Sequence, residues 1–208
     1  MQRKKRLYGY FKYQLSNRGG VVMTNTQLKC ALMGGLIVFI WGLFSWMIFP
    51  WHQTCMKKFS CERGVADAIR EYAPESGVYI LPNTFHKENG CPTEMKKSMQ
   101  MMENGPFVFA AVKLEGMGKM TMGSFVLSLI LQVIGAFIAT WMLMQTKGLS
   151  FFKQIGFFTL FGLSIGVLGL LPEWNWWGFS FCYVLVNMID LVVGWTLAGF
   201  AVAKVLKR

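Results

Sequence analysis

The chain has 208 residues, 54% of them apolar and 15% charged, with a formal net charge of +11. That charged share is far below the roughly 25% usual in soluble domains, which excludes an ordinary water-soluble fold and makes a membrane protein the first expectation. The positive charge sits in a tail and in loops and leaves the greasy segments almost empty, a distribution that argues against nucleic acid as a partner.

Residues 1–29 hold seven lysines and arginines and no acid. Arg3, Lys4, Lys5 and Arg6 lead into Tyr8, Tyr10, Phe11 and Tyr13, and this mixture reads as a cytoplasmic tail lying on anionic lipid. Each basic residue there contributes about 1 kcal/mol near the surface. Met23 precedes a polar stretch, Thr24 to Gln27, and offers a second translation start. Residues 30–50 are the first transmembrane helix, because about 20 apolar residues cross a hydrocarbon core roughly 30 Å thick and a helix satisfies its own backbone there. This run is too long for a cleavable signal peptide, and Ile48, Phe49, Pro50 and Trp51 make no small-residue cleavage site.

Residues 51–119 carry nine basic and eight acidic side chains and form an extracytoplasmic domain. Ser60 is placed to cap a helix over about 61–72, where Val65, Ala68, Ile69 and Tyr72 recur at helical spacing and Pro74 and Gly77 follow as breakers. Strands are predicted at 78–81 and 106–113, with a helix over 93–102 between them. At about 70 residues the core of such an α+β unit is marginal, so it leans on the membrane, a disulfide or a partner. Cys55, Cys61 and Cys91 all lie here, on the side where thiols are oxidised. They are candidates for one disulfide, with three pairings that sequence does not choose between and free thiols as the alternative. His52, Cys55, Cys61, His86 and Cys91 are zinc-ligand types, but His52-x-x-Cys55 stands without a paired C-x-x-C motif, and no metal is expected. Cys30 and Cys182 fall in or beside spans, where thiols are usually small apolar fillers.

Residues 120–145, 155–171 and 177–203 are the second, third and fourth spans. A loop at 146–154, an outer loop at 172–176 and a tail at 204–208 complete the plan. The fold class is a membrane all-α, four-transmembrane-helix bundle with a small α+β domain between helices one and two. Gly135-x-x-x-Ala139, Gly162-x-x-x-Gly166 and Gly194-x-x-x-Ala198 offer faces for close helix packing, first of all within the chain. Lys147, Lys153, Lys204, Lys207 and Arg208 join the tail in voting both termini into the cytoplasm, while 172–176 carries Glu173 and no basic residue. Trp46, Trp51, Trp174, Trp176 and Trp177 gather at the opposite surface as an aromatic belt.

Asp190 is the one charged-type side chain well inside a span. Holding a carboxylate there costs about 2.5 kcal/mol or more, so such a group faces the bundle, a partner or water. Tyr183, Asn187 and Asp190 share one helix face with Ser180, Gly194 and Ala198 and form an intramembrane polar stripe. Gln132 and Ser164 are its expected partners at similar depth. The stripe reads as interhelical glue, with a proton or cation relay at Asp190 as the competing role.

The segments 41–52 (Trp41 through Pro50, Trp51 and His52), 77–82, 171–178 (Leu171, Pro172, Glu173, Trp174, Asn175, Trp176, Trp177, Gly178) and 187–190 resemble a group of small bacterial inner-membrane proteins of unknown function. The resemblance covers about residues 30–203. It implies a bacterial inner membrane and the four-span plan, and it supplies no reaction, cofactor or catalytic residue. No phosphate-binding glycine loop, zinc-protease helix or nucleophile elbow is present. The expectation is a non-enzymatic accessory or interaction component, without a cofactor, whose partners are the lipid bilayer and a protein or a second copy of itself. A small oligomeric transporter or proton- or cation-coupled protein using Asp190 is the alternative.

Overall fold

The computed structural model describes residues 24–85, 92–146 and 148–206. Arg3, Lys4, Lys5 and Arg6 of the basic tail, Met23, His86, Cys91, Lys147, Lys207 and Arg208 lie outside the described residues. Among the described residues four helical segments are long and apolar enough to cross a membrane: Asn25–Ile48, Met122–Gln145, Phe151–Trp177 and Phe181–Leu206.

Helix α1 (Asn25–Ile48) starts five residues before its apolar run, because the Thr24 side chain caps it and accepts from the Gln27 N–H at 3.1 Å. Pro50 follows its end and turns the chain into the short helix α2 (Trp51–Cys55). Helix α3 (Glu62–Tyr72) is capped by Cys61, whose sulfur accepts from the Gly64 N–H at 3.4 Å, where Ser60 was expected in that role. Strand β1 (Gly77–Leu81), helix α4 (Pro92–Asn104) and strand β2 (Val108–Val112) follow, and the strands pair antiparallel with Gly77 opposite Val112 and Leu81 opposite Val108. The two-stranded sheet leans on the membrane helices through Phe109, which stacks on Trp177 at 4.7 Å. No residue of α3 is buried.

Helix α5 (Met122–Gln145) is followed by α6 (Phe151–Ile165), a π-helical turn (Gly166–Leu170) and α7 (Leu171–Trp177), which run on as one span. Residues 172–176, expected as an outer loop, are therefore helical. The reason is local: Pro172 has no N–H and its ring crowds the carbonyl four residues back. The backbone widens there, with the Leu171 N–H reaching Gly166 O, and the helix then resumes. The reversal falls at Gly178, whose φ of 71° is the left-handed conformation that ends α7, its N–H bonded to Glu173 O. Helix α8 (Phe181–Leu206) consequently starts four residues later than the sequence reading of 177.

In the bundle α1 packs against both α5 and α8, and α8 packs in turn against α6. The core sits toward the end where α1 begins and α8 finishes, built from Cys30, Ala139, Leu143, Phe158, Trp195 and Val202. Small residues set the crossings. A Cβ at Gly35 would stand 2.5 Å from Val133 Cα, one at Gly194 2.9 Å from the Trp41 ring, and one at Gly199 2.6 Å from Phe158 Cβ. Gly135 and Gly162 receive Trp195, and Gly166 receives Met188, so the expected small-residue faces serve contacts within the chain.

Candidate functional site: a buried histidine beside an intramembrane carboxylate

The site lies at the domain end of the bundle, the end that carries the small domain, where the Pro50 turn folds α2 back against α8. Each side chain is held by a traceable contact. Trp51 Nε1 donates to Ser45 Oγ at 3.0 Å, and Ser45 Oγ lies 3.0 Å from His52 Nε2. The imidazole stacks flat on Trp46, with ring centroids 4.0 Å apart and planes 9° from parallel. Only 1% of His52 is exposed. Its Nε2 comes within 3.7 Å of Asp190 Oδ2 on α8. Trp41 Nε1 donates to the Asp190 backbone carbonyl at 3.0 Å, so α1 grips α8 at the same residue.

A covalent clamp fixes this arrangement. Cys55, one helical turn after His52, forms a disulfide with Cys182, whose Cα is 5.6 Å away. The expected pairing among Cys55, Cys61 and Cys91 is thus corrected: Cys55 takes Cys182, and Cys61 is free and exposed. The physical reason is the shifted start of α8. With the helix beginning at Phe181, Cys182 stands at its mouth, in reach of α2, instead of more than a turn inside the span as an apolar filler.

Two buried polar atoms here have no hydrogen-bond partner, His52 Nδ1 and Asp190 Oδ1. Burial pushes the His52 imidazole below its ordinary value, and the Asp190 carboxylate partly opposes that shift. A neutral ring is therefore favoured, and an ionised Asp190 would have no lysine or arginine within ion-pairing distance among the described residues. A 3.7 Å separation is too long for a hydrogen bond but short for electrostatics.

Ser45, His52 and Asp190 do not form a nucleophile relay. In such a relay the carboxylate orients one ring nitrogen and the serine uses the other. Here both groups address Nε2, and Ser45 is fully buried. The three side chains come from α1, α2 and α8 and meet at one imidazole nitrogen.

Beside Asp190, residues of α1, α5 and α8 line a partly open groove of about 380 Å³. Trp41, Trp46 and Phe125 supply aromatic wall, and Ser124, Ser128 and Gln132 line it at four-residue steps along one face of α5. Gln132 is ten residues into α5 and Asp190 nine into α8, so both lie about 14–15 Å along their helices from the domain end.

Of the residues the sequence singled out, Asp190 and Gln132 share this groove. Asn187 does not reach across: its Nδ2 donates to Tyr183 O in its own helix at 2.7 Å. Ser164 likewise bonds Leu160 O in its own turn and is exposed. Tyr183 packs its ring near Phe179. His52 and Ser45 are the partners that sequence reasoning missed. The available signal was an intramembrane acid with no basic residue at its depth, in a chain with a histidine next to a proline turn.

No family model, curated protein or solved structure matches the chain. It is a multi-pass integral membrane protein. The four spans and the small sheet-and-helix insertion between the first two carry that statement.

Proposed function

We propose that the protein is a non-enzymatic accessory or interaction component of a membrane complex, set in a bacterial inner membrane with both termini cytoplasmic and the 51–119 domain on the opposite face. The observation that carries the reading is α3: it is amphipathic by sequence, yet none of its residues is buried, and Ile69 and Tyr72 stand exposed. A helix of this kind normally covers its apolar stripe against something. Met95 and Met99 of α4 are exposed as well, and methionine suits a surface that must adapt to a partner. Lys29, Lys153 and Lys204 at the end remote from the domain support the orientation, and the motif resemblance supports the membrane.

The test is native mass spectrometry of the full chain purified in mild detergent, as wild type and with Ile69→Glu and Tyr72→Glu together. The reading expects a stoichiometric heteromer or homo-oligomer that the double substitution dissociates. A monomer in both samples, or an assembly indifferent to the substitutions, refutes it.

A second reading draws on a different observation, the buried His52 beside the partly buried Asp190: a small oligomeric transporter or proton- or cation-coupled protein. Proton or cation uptake into proteoliposomes that Asp190→Asn abolishes is its signature. Equal uptake by wild type and variant rejects it.

A further inference from the structure

The groove beside Asp190 combines features that a packing defect does not explain. It is walled by Trp41, Trp46 and Phe125, has a run of polar groups at Ser128 and Gln132, and ends on a carboxylate. The Asp190 side chain is 14% exposed, its buried Oδ1 has no hydrogen-bond partner, and among the described residues its only charged-type neighbour is an imidazole 3.7 Å from the other oxygen. Hydrocarbon tails of lipid satisfy the walls but leave the acid unserved. Water satisfies the acid but wets the aromatic faces. An occupant carrying a positive charge on an apolar body satisfies both.

We infer that this groove binds a lipophilic organic cation, its ammonium group against Asp190 and its apolar body along the aromatic wall. Three physical terms converge on that class. Opposite charge at a partly desolvated carboxylate selects a cation over a neutral molecule. The electron-rich faces of Trp41 and Trp46 attract an ammonium group more than its carbon isostere. A volume of about 380 Å³ suits a small amine, since ligand pockets generally run from about 300 to 1,000 Å³. Charge complementarity also decides against an anionic occupant, which the carboxylate would repel. The Cys55–Cys182 clamp and the Trp41 bond to the Asp190 carbonyl hold the acid in place before anything binds, which limits the ordering that binding requires. The inference rests on the second reading above and specifies the cation.

The test uses the full chain in lipid nanodiscs, titrated calorimetrically with benzyltrimethylammonium and with neopentylbenzene, in which carbon replaces the charged nitrogen. Saturable binding of the cation is expected, with the neutral isostere weaker by about tenfold or more. Asp190→Asn should weaken the cation by a similar factor and leave the isostere unchanged. Ser128→Phe fills the groove from an exposed position that is not part of the His52–Asp190 pair and should abolish binding, which keeps the test decisive where Asp190→Asn fails to fold. Equal affinity for cation and isostere overturns the inference, as does wild-type affinity in Ser128→Phe or no binding at all. Proton uptake into proteoliposomes separates the two levels. If the ammonium does not bind but Asp190→Asn still abolishes proton uptake, the organic-cation site falls and the coupled reading stands; if neither effect is seen, both fall.

Discussion

Replacing Gly35 by alanine is expected to destabilise the protein, whereas the same change at Gly42, seven residues along the same helix, is expected to stabilise it. A Cβ at Gly35 would meet Val133 Cα at 2.5 Å and Val133 N at 2.6 Å, where ordinary contact is 3.4–4 Å. Those are backbone atoms and cannot swing aside, so α1 and α5 must part by about 1 Å, an overpacking that costs about 1–3 kcal/mol. At Gly42 a Cβ would find nothing within 4 Å. Both positions share the roughly 1 kcal/mol that alanine gains over glycine in a helix interior, so the gap between the variants is the overpacking alone. For a chain of this size it corresponds to about 2–12 °C in Tm. Thermal unfolding of both variants and wild type in one detergent reads it directly. A Gly35→Ala protein as stable as Gly42→Ala would show that α1 and α5 do not cross at Gly35, and the groove that opens beyond that crossing would lose its basis.

Two further outcomes follow from titratable groups. His52 has a folded-state pKa below its ordinary 6.5, so its contribution to stability is complete above about pH 6.5 and is lost as pH falls through the lower folded value. His52→Phe should flatten the stability curve between pH 7 and 5, whose slope from one proton cannot exceed about 1.4 kcal/mol per pH unit; an unchanged slope would refute the burial of this ring. In the small domain the Ser76 hydroxyl donates to Glu115 Oε2 at 2.6 Å and holds that carboxyl below its ordinary 4.5. Ser76→Ala should raise the Glu115 pKa toward 4.5 in a carboxyl ¹³C titration, and no change would mean the hydrogen bond is absent in solution.

The spans were legible because lipid imposes a simple demand, a self-satisfied backbone of sufficient apolar length, and the four segments meet it by composition. Asp190 was legible for the converse reason: a carboxylate in such a segment is costly enough to stand out. Its partner was not, because His52 reaches it only through the Pro50 turn and the docking of a five-residue helix. A helix that short has no periodicity to read. The disulfide was missed for a related cause. Pro172 reads as a helix boundary, yet the π-helical turn absorbs it and the helix continues to Trp177. That carries the start of α8 past the expected boundary and brings Cys182 to the surface of the bundle. At Asn187 the spacing gives the helix face but not the hydrogen-bond partner. Helical spacing placed it on the Asp190 face, but a side-chain amide can bond its own helix, and here it does.

Helix α2 docks on α8 and sets His52 beside Asp190. The disulfide one turn from His52 is the most direct reporter of this docking. Non-reducing proteolysis of the full-length protein, after blocking free thiols and without reductant at any step, followed by mass spectrometry of the linked peptides, should give a single bridge joining the Cys55 peptide to the Cys182 peptide, with Cys61 carrying the blocking group. A bridge from Cys55 to Cys61 or Cys91, or a Cys182 that is alkylated in the oxidised protein, would contradict the docking and the site built on it.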